Sequence, residues 1–461
     1  MGDNGNTIFR ILKSGSISKI NKKDGKESIS KLPDFVIQNI QNQKNKIYAD
    51  SQNGLWIYSK TASVFYKKNN TTDWQKITLN SSVNSQNDVI FDIKDDANGK
   101  VWIGTDHQGI FVYNTTNNNI SNLVYNPNSN SSIASNNIGC LYKDDTGTIW
   151  AGHNKKGISY YNDSFGNLVN IELENCKDVS NFLEDKKGMI WAGTISSGLV
   201  SYDPKTGEVK TYLNDPAVAN SLSDNFVNAL FLDHEDNLWV TTENGLNRYN
   251  GKDRNFTRFT TSDGLPSNVT YRIEEDNAHN LWISTSRGLT SFNPKNAKVK
   301  TYTKSQGLLS DQFNYNSSFK DDAGVMYFGS VNGMIGFNPD RFIKNRVVPE
   351  VYITGFQVFN QELMIGKKGS PLKKSIAYTD HIMLDYDQST FSIDFAALVY
   401  TDSESGEYAY KLEGLDKDYT LIKGNRRVFY TKLAPGKYTF MVRAANSSGV
   451  WTNEPRKLII E

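Results

Sequence analysis

Short runs of alternating apolar and polar residues fill the first three quarters of the chain, and one arrangement of them recurs. An apolar run ends in a turn rich in Asp, Asn and Gly, and a strand-like segment with an aromatic residue follows. A short polar loop then leads into another strand-like segment. The copies that show this most clearly are VWIGTDHQGIFVY, IWAGTISSGLVSY and LWISTSRGLTSF. Such alternation between turn-forming residues predicts β-strands.

Seven copies of this arrangement align on one aromatic anchor, at Tyr48, Trp102, Trp150, Trp191, Trp239, Trp282 and Tyr327. Successive anchors are 41 to 54 residues apart. This period is typical of a four-stranded propeller blade, whose strands are called A, B, C and D in chain order. A single such sheet cannot bury both of its faces, whereas sheets packed in a ring can. We therefore predict a seven-bladed β-propeller in residues 1–345, with the anchors in the core between blades.

The last blade lacks an obvious D strand, and SISKI at residues 16–20 is predicted to supply it. That assignment leaves IFRIL at residues 8–12 without a place. The repeat stops after about residue 345, and several short alternating strands follow, from VYITGFQVF to YTFMVRAA. Their spacing predicts an immunoglobulin-like or fibronectin-III-like β-sandwich in residues 346–461, so that the fold class is all-β.

Composition narrows the classes of function. Lys plus Arg number 51 and Asp plus Glu number 50, so no long-range attraction to nucleic acid or to an anionic membrane surface is expected. Cys140 and Cys176 are the two cysteines, too few for a disulfide framework or a cysteine-rich zinc site. The sequence has no apolar run of about 18 residues and no signal-peptide pattern. Membrane attachment is therefore expected through a helix outside this chain.

The repeats resemble the two-component regulator propeller, and the C-terminal part resembles the Y_Y_Y domain that follows such propellers. The C-terminal resemblance rests on ten residues in order and at family spacing: Phe395, Tyr408, Gly414, Pro435, Gly436, Tyr438, Arg443, Asn446, Gly449 and Trp451. Tyr419 is a departure, because many members have Trp there, but an aromatic ring is kept. Together the two resemblances cover nearly the whole chain.

The resemblance implies the periplasmic ectodomain of a hybrid two-component sensor, which joins a histidine kinase to a response regulator. Members often have a further propeller upstream, and they continue from the Y_Y_Y domain into a membrane helix and a cytoplasmic kinase. Many sense oligosaccharides released from glycans. The chain is accordingly expected to be a non-enzymatic fragment that binds an oligosaccharide or another small polar ligand. It is also expected to form a homodimer and to pass the signal through the Y_Y_Y domain to the membrane helix.

In a propeller the B-to-C loops and the D-to-A segments emerge on one face, and loops on a rigid scaffold are where binding usually occurs. The B-to-C loops are predicted at residues 51–53, 106–108, 153–156, 195–197, 243–244, 286–287 and 331–332. The D-to-A segments include residues 84–87, 135–137, 224–225, 267–268 and 312–314. Their amides, hydroxyls and cationic groups suit a polar ligand that is uncharged or mildly acidic.

The candidate ligand-binding residues are Asp106, His107, His153, Asn154, Lys155, Lys156, Glu243, Arg287 and Trp74. Trp74 is included because it lies outside the register of the anchors and is able to stack on a sugar. The alternatives are that the loop residues are ordinary solvated ones and that Trp74 is a packing residue in the outer strand of its blade.

Enzymatic function needs a convergent set of reactive groups. The five histidines, His107, His153, His234, His279 and His381, are scattered along the sequence, and no HExxH, GxSxG or phosphate-loop motif occurs. The Asp pairs 95–96, 144–145 and 321–322 are interpreted as turn residues rather than as catalytic or calcium-binding carboxylates. We therefore predict no catalytic residue, no metal site and no cofactor. A scaffold that binds other proteins is the alternative function, and a carbohydrate-active propeller enzyme is a further one.

Overall fold

The computed structural model shows an all-β protein with one short α-helix in the residues that it describes. Those residues are 2–3, 7–12, 14–21, 26–40, 45–59, 63–79, 89–96, 98–129, 131–162, 167–173, 176, 178–321, 323–342, 346–367, 370–398, 407–446 and 449–461. The chain divides into two compact units, Met1–Asp340 and Arg341–Glu461. The boundary predicted from the sequence lies slightly further on, between residues 345 and 346.

The N-terminal sheet has four antiparallel strands paired in chain order. They are β1 (Gly2–Asp3), β2 (Thr7–Ile11), β3 (Ser16–Asn21) and β4 (Glu27–Lys31), and the helix α1 (Asp34–Ile40) follows them. The sequence predicts that residues 16–20 form the D strand of the last blade. In the structure they belong to β3, which pairs with β2 and β4 instead. The reason is local, because a tight turn between Leu12 and Ser16 folds β3 directly back on β2.

Each of the seven sequence repeats forms one antiparallel sheet with its strands adjacent in chain order. Sheet 1 consists of β5 (Asn45–Ala49), β6 (Leu55–Ser59), β7 (Val64–Lys67) and β8 (Trp74–Ile77). Sheet 2 consists of β9 (Ile90–Asp95), β10 (Lys100–Thr105), β11 (Ile110–Asn114) and β12 (Ile120–Leu123). Sheet 3 consists of β13 (Ile138–Lys143), β14 (Ile149–His153), β15 (Ile158–Asn162) and β16 (Asn167–Ile171). Sheet 4 consists of β17 (Val179–Glu184), β18 (Ile190–Thr194), β19 (Leu199–Tyr202) and β20 (Val209–Tyr212).

The remaining three sheets repeat the same order. Sheet 5 consists of β21 (Val227–Leu232), β22 (Leu238–Thr242), β23 (Gly245–Asn250) and β24 (Asn255–Phe259). Sheet 6 consists of β25 (Thr270–Glu275), β26 (Leu281–Thr285), β27 (Gly288–Phe292) and β28 (Val299–Tyr302). Sheet 7 has three strands, β29 (Phe313–Lys320), β30 (Met326–Ser330) and β31 (Gly333–Phe337). Short 3-10 turns at Thr261–Asp263 and Lys304–Gln306 precede the A strands of sheets 6 and 7.

The anchor of sheet 1 is Trp56 rather than Tyr48. Tyr48 lies in strand A, whereas Trp56 lies in strand B, where the anchors of the other sheets lie. Asp50 precedes Trp56 by six residues and accepts a hydrogen bond from its indole N–H, the same spacing and contact as in the other repeats. The register predicted for this repeat is therefore wrong. Residues 51–53 lie in an A-to-B turn and not in a B-to-C loop.

An aspartate–aromatic clamp closes the A-to-B turn of every repeat sheet. One oxygen of Asp144 accepts the backbone N–H groups of Thr146 and Thr148 at 3.0 and 2.8 Å. Its other oxygen accepts the indole N–H of Trp150 at 2.8 Å. The equivalent pairs are Asp50–Trp56, Asp96–Trp102, Asp185–Trp191, Asp233–Trp239, Asp276–Trp282 and, through the phenol, Asp321–Tyr327. These aspartates are thus turn residues that also fix the anchors. Asp322 lies outside the described residues.

Hydrophobic clusters fill the space between neighbouring sheets. Trp239 and Leu246 of sheet 5, for example, pack with Ile273, Leu281 and Phe292 of sheet 6. A cluster of this kind joins each successive pair of sheets from the N-terminal sheet to sheet 7. The tryptophan anchors are at most 4% exposed, as expected for side chains whose burial stabilises the fold by about 1.5–3 kcal/mol each.

The N-terminal sheet also lies close to sheet 7. Burial raises the pKa of the Tyr327 phenol in β30, and the charge of Arg10 in β2 offsets part of that rise. Residues of β1 and β2 contact β5 of sheet 1 on the other side. The first unit is therefore a β-propeller in which the N-terminal sheet accompanies the seven sheets of the repeats.

The second unit is a sandwich of two sheets. Its strands are β32 (Glu350–Val358), β33 (Gln361–Glu362), β34 (His381–Ile382), β35 (Phe391–Leu398), β36 (Glu407–Glu413), β37 (Thr420–Lys423), β38 (Arg427–Tyr430), β39 (Tyr438–Ala445) and β40 (Arg456–Ile460). One sheet has the order β33-β32-β35-β38 and the other the order β34-β40-β39-β36-β37. Phe356, Ile393 and Phe395 of the first sheet form one core with Phe440 and Leu458 of the second. Short 3-10 turns occur at Pro339–Arg341 and Ile376–Tyr378.

Residues that carry the C-terminal resemblance have structural roles in this sandwich. The guanidinium of Arg443 lies 4.5 Å from the ring centroid of Tyr419 and 5.2 Å from that of Trp451. A cation–π contact needs an aromatic face and not an indole in particular. This explains why Tyr419 serves where many family members have Trp. Tyr430 is buried in the core, and Tyr438 packs against it.

Candidate functional site

Backbone hydrogen bonds tie the B-to-C loops to the D-to-A segments. In sheet 2 the N–H of Asp106 donates to the carbonyl of Val89, and the N–H of Gly109 donates to that of Asn136, both at 2.9 Å. Equivalent donor–acceptor pairs are Asn154–Asn137, Ile195–Asp178, Gly198–Asn225, Glu243–Phe226, Gly245–Asn268, Ser286–Val269, Gly288–Asp311 and Val331–Gln312. Both sets of loops therefore share one face of the propeller, which we call the loop face. The A-to-B turns lie at the other ends of the strands, on the turn face.

The glycine that ends these loops is required by close packing. Gly198 has φ +71, and a Cβ atom there would lie 2.1 Å from the carbonyl oxygen of Tyr212 in strand D. Gly109 and Gly157 meet the carbonyls of Leu123 and Ile171 in the same way. The loops are thus fixed in their backbone and free to differ in the residues between.

A buried hydroxyl at the end of strand B closes most of these loops. Thr194 Oγ1 donates to the carbonyl of Gly198 at 2.8 Å. The equivalent residues are Thr105, Thr242, Thr285 and Ser330, and each makes the same bond. In sheet 3 this position is occupied by His153, which is 0% exposed. His153 is therefore not a surface ligand residue, and its assignment as one is wrong.

His153 belongs to a buried chain of polar groups. Its Nδ1 lies 3.1 Å from the carbonyl of Ser135, and its Nε2 lies 2.7 Å from Ser159 Oγ. Ser159 Oγ donates to Asn170 Oδ1 at 2.6 Å, and Asn170 Nδ2 donates to the carbonyl of Ser132 at 2.8 Å. This series of hydrogen bonds thus connects strand B of sheet 3 to the D-to-A segment that precedes that sheet.

When His153 is neutral, its hydrogen-bond network with Ser135, Ser159 and Asn170 has one proton fewer than it has contacts. The carbonyl of Ser135 needs the Nδ1–H, so that Nε2 and Asn170 Oδ1 compete for the single hydroxyl proton of Ser159. A protonated imidazole would satisfy every contact. Burial opposes this and lowers the pKa of His153 to about 4. The ring is therefore neutral at pH 7.

A cavity of about 570 Å³ opens on the loop face beside this chain. Its lining includes Tyr125, Asn126, Ser131, Lys156, Asn170 and Glu172. Tyr125 is 42% exposed, and Lys156 and Glu172 are exposed as well. Asn170 links the cavity wall to His153 through Ser159. His153 is thus a positioning residue behind the wall and not a residue that faces the cavity.

The other residues predicted for the site do not converge on this cavity. His107 and Asp106 lie in the B-to-C loop of sheet 2, the neighbour of sheet 3. His107 is exposed, and its Nδ1 lies 3.4 Å from Asp106 Oδ2. Lys155 is exposed and has φ +68. Asn154 and Arg287 lie on the loop face, with Arg287 exposed in sheet 6. Of the predicted residues, Lys156 alone lines the cavity.

Trp74 is a packing residue rather than a sugar platform on the loop face. It lies at the start of strand D in sheet 1 and is half-buried. Its side chain packs against the cluster that joins sheet 1 to the N-terminal sheet, which includes Phe9, Ile17 and Phe65. This is the alternative that the sequence left open.

A second polar cluster on the loop face surrounds Glu243. Its Oε1 accepts hydrogen bonds from Asn228 Nδ2 at 3.0 Å and from the phenol of Tyr315 at 3.2 Å. The ring of Tyr315 is 54% exposed and lies 4.5 Å from that of buried Tyr271. Sequence reasoning selected Glu243 but missed Tyr315, which lies directly after the predicted D-to-A segment at residues 312–314. The segment at residues 84–87 lies outside the described residues.

Family models match the two parts of the chain separately. The model of the two-component regulator propeller matches residues 84–107, 132–155, 221–244 and 264–287. Each match ends in a B-to-C loop, of sheets 2, 3, 5 and 6 respectively. The model of the Y_Y_Y domain matches residues 399–461, in the sandwich. The chain therefore contains two-component regulator propeller repeats followed by a Y_Y_Y domain.

Two relatives are similar to this chain over nearly its whole length. The histidine kinase P4 of Formosa agariphila is 26% identical to this chain, and the alignment covers 98% of the chain and 30% of that protein. The chain thus spans less than a third of the length of this relative. Among solved structures, the extracellular domain of the hybrid two-component system BT3049 of B. thetaiotaomicron is 26% identical, with 99% of this chain and 67% of that one covered and a TM-score of 0.45.

A more distant similarity is to an enzyme. Virginiamycin B lyase of Staphylococcus aureus, solved with quinupristin, is 16% identical over 64% of this chain and 95% of that one, with a TM-score of 0.45.

No helix in the described part of the chain is both long and apolar enough to span a membrane.

Proposed function

We propose that this chain is the ligand-sensing, extracytoplasmic part of a hybrid two-component histidine kinase, and that it binds an oligosaccharide or another small polar ligand. The regulator propeller repeats and the Y_Y_Y domain support the class of sensor. The observation that carries the proposed site is the loop-face cavity of about 570 Å³, which joins an exposed aromatic ring to a cation and several amides and hydroxyls.

The chemistry of the cavity suits a sugar with an acidic group. Tyr125 offers a ring face for stacking, and Asn126, Ser131 and Asn170 offer directional donors and acceptors. Lys156 provides a positive charge for a carboxylate or sulfate. Glu172 on the same wall accepts hydrogen bonds from sugar hydroxyls and disfavours a ligand that is acidic throughout. An oligosaccharide with one uronate or sulfate group therefore fits the arrangement best.

Isothermal titration calorimetry with matched lysine variants tests this site. Lys156→Ala removes the cation that lines the cavity, whereas Lys155→Asn removes a neighbouring exposed cation that does not line it. Asparagine tolerates the left-handed backbone at residue 155. Neutral and uronate-containing oligosaccharides are titrated into each protein. We expect Lys156→Ala to weaken the acidic ligand about tenfold, the effect of one charge-assisted hydrogen bond, and Lys155→Asn to leave it unchanged.

Two results would contradict the site. Equal losses in the two variants would point to a general electrostatic effect of the loop. Unchanged affinity in Lys156→Ala and in Tyr125→Ala together would place the ligand elsewhere, with the Glu243 cluster as the next position to examine through Tyr315→Ala.

The rest of the signalling path is part of the same proposal. The chain is proposed to lie in the periplasm, to act as a homodimer and to pass its signal through the Y_Y_Y domain to a membrane helix and a kinase outside this chain. A ligand shifts such a dimer only by its differential affinity for two states. Small-angle scattering and light scattering with and without ligand measure the change, and identical curves and mass would count against it.

A scaffold that binds other proteins remains the competing function. A thermal-shift screen with oligosaccharides and peptides separates the two, because a ligand that binds the folded state raises the melting temperature by mass action. Shifts with peptides and none with any glycan would favour the scaffold. Turnover of a glycan during the same incubation would favour the enzyme alternative.

A further inference from the structure

Two histidines that are 45 residues apart in sequence meet on the turn face of the propeller. His234 lies in the A-to-B turn of sheet 5, and His279 in that of sheet 6. Their Nδ1 atoms lie 2.5 and 3.2 Å from one oxygen, Oε1 of Glu275. Their rings stack with 3.5 Å between centroids and an angle of 18°. Two histidines that are far apart in sequence are thus brought into contact by the fold.

The turns themselves do not require these histidines. The residue three positions after the turn aspartate is Gly99, Gly147, Gly188 or Gly324 in four other sheets, and each of these glycines has positive φ. His279 occupies this position with φ +62, a conformation that is costly for a residue with a side chain. The position after the turn aspartate is His234 in sheet 5 and Asn277 in sheet 6. A turn of this type forms without either imidazole.

Glu275 has one oxygen in a structural contact and one that serves the histidines. Its Oε2 accepts the backbone N–H of His234 at 2.8 Å. The same contact between neighbouring sheets recurs where Glu184 accepts the N–H of Asp145 and where Asp95 accepts that of Ser51. Packing of the sheets thus explains the contact that Oε2 makes. It does not explain why two imidazole nitrogens converge on Oε1, which is a feature of this pair of sheets.

We propose that His234, Glu275 and His279 bind a divalent transition-metal ion, with zinc as the best fit. Two imidazole nitrogens and one carboxylate oxygen are a common protein ligand set for zinc, with water as the fourth ligand. One candidate ligand atom from each residue lies within 4.8 Å of the other two. Tetrahedral bonds of about 2.0–2.1 Å hold two nitrogens roughly 3.4 Å apart. Because the two imidazole rings are stacked at 18°, at least one of them has to turn about its side-chain bonds before both nitrogens can bind one ion.

The surroundings suit metal binding as well. Glu275 has a side chain that is 13% exposed, whereas His234 and His279 are 35% and 47% exposed. An ion therefore has access from solvent and a fixed carboxylate to bind. The Nε2 of His234 lies 3.6 Å from Glu235 Oε1. A carboxylate on that side of the ring favours the tautomer with its proton on Nε2, which leaves Nδ1 free to bind the metal.

Metal binding would join sheet 5 to sheet 6 on the face opposite to the cavity. The ion would be bound by one residue from sheet 5 and two from sheet 6, so it would stabilise their packing in the folded state. Its effect is therefore expected on thermal stability and not on the ligand affinity of the loop-face cavity. This proposal does not depend on the identity of the sensed ligand.

Titration of metal-stripped protein of residues 1–461 with zinc chloride tests the site directly. We expect one ion per chain by calorimetry, a melting temperature that rises by roughly 5 °C at a hundredfold excess over the dissociation constant, and visible absorption of a four-coordinate site with Co²⁺. His279→Gly and His234→Asn use residues that other sheets have at these positions, so both variants are expected to fold. His107→Asn, on the loop face, is the control.

The proposal predicts that both turn-face variants lose the stoichiometric binding, the cobalt absorption and the shift in melting temperature, whereas His107→Asn keeps all three. It is overturned if the wild type shows no binding of zinc at millimolar concentration. It is also overturned if folded His279→Gly or His234→Asn keeps the full shift, or if the control loses it.

Discussion

The two faces of the propeller are built from opposite ends of the same strands, and they differ in what stays constant from sheet to sheet. On the turn face the aspartate–aromatic clamp is present in all seven repeats, so side chains specify the structure there. On the loop face the backbone hydrogen bonds and a buried hydroxyl recur, while the remaining side chains vary.

This difference shows where to look for function. The clamp and the clusters between sheets hold the ring, so the loop face is free to carry a binding site. Departures from a constant position are then informative on either face. His153 replaces a threonine on the loop face and supports the cavity wall, and His279 replaces a glycine on the turn face and meets His234.

Breaking the clamp should give the largest effect. Trp239 is 0% exposed and donates its indole N–H to Asp233 at 2.8 Å. Trp239→Ala leaves a large cavity and removes the indole hydrogen bond to Asp233, and we expect it to lower the free energy of unfolding by about 3–5 kcal/mol. Urea unfolding followed by circular dichroism measures the loss. Arg287→Ala, exposed on the loop face, is the control and should change it by less than about 0.5 kcal/mol. Similar small effects in both variants would contradict the comparison.

The buried histidine on the loop face should make stability depend on pH. Burial lowers the pKa of His153 to about 4, whereas an unfolded histidine has a pKa of about 6.5. Between these values the unfolded chain binds a proton that the folded chain does not, so the free energy of unfolding falls as pH falls. The expected loss from this residue between pH 7 and pH 4 is about 3 kcal/mol.

His153→Thr restores the residue type of the other sheets and should remove this component. Urea unfolding at several pH values, with the difference between wild type and variant plotted against pH, isolates the contribution of His153 from that of the carboxylates. A difference that stays constant from pH 7 to pH 4 would show that the histidine is not buried as described.

Two glycines of sheet 4 allow the two faces to be compared through smaller effects on stability. Gly198, in a loop-face loop, and Gly207, between strands C and D of the same sheet, have φ +71 and +74. A Cβ at Gly198 would meet the carbonyl of Tyr212 at 2.1 Å, whereas nothing lies within 4 Å of one at Gly207. Gly207→Ala should cost about 1 kcal/mol for the backbone alone, and Gly198→Ala should cost about 2 kcal/mol more. Equal melting temperatures of the two variants would refute the role given to the loop glycine.

Much of the fold could be predicted because the repeats carry both the anchor and the turn aspartate at fixed spacing. The prediction of the anchor was wrong for the first repeat because Tyr48 and Trp56 are both aromatic residues in neighbouring strands. The signal was nevertheless present, since Asp50 precedes Trp56 by six residues as in the other repeats. The assignment of residues 16–20 as the D strand of the last blade was wrong because β2, which precedes them in sequence, pairs with them instead.

The site was harder to predict because it depends on contacts between distant residues. His153 could have been excluded from the surface by alignment with Thr105, Thr194, Thr242 and Thr285. No local pattern joins Glu243 to Tyr315, or His234 to Glu275, because each pair comes from different sheets of the ring. The cavity around Lys156 likewise requires the packing of a D-to-A segment against strand D of the next sheet.

Hydrogen–deuterium exchange with and without a binding oligosaccharide tests most directly whether the loop face carries the sensing site. We predict slower exchange in peptides that cover residues 125–132 and 153–172, around the cavity, and no change in peptides that cover the clamps at residues 233–239 and 276–282. Protection confined to the turn face or to residues 341–461, with none around the cavity, would contradict the account.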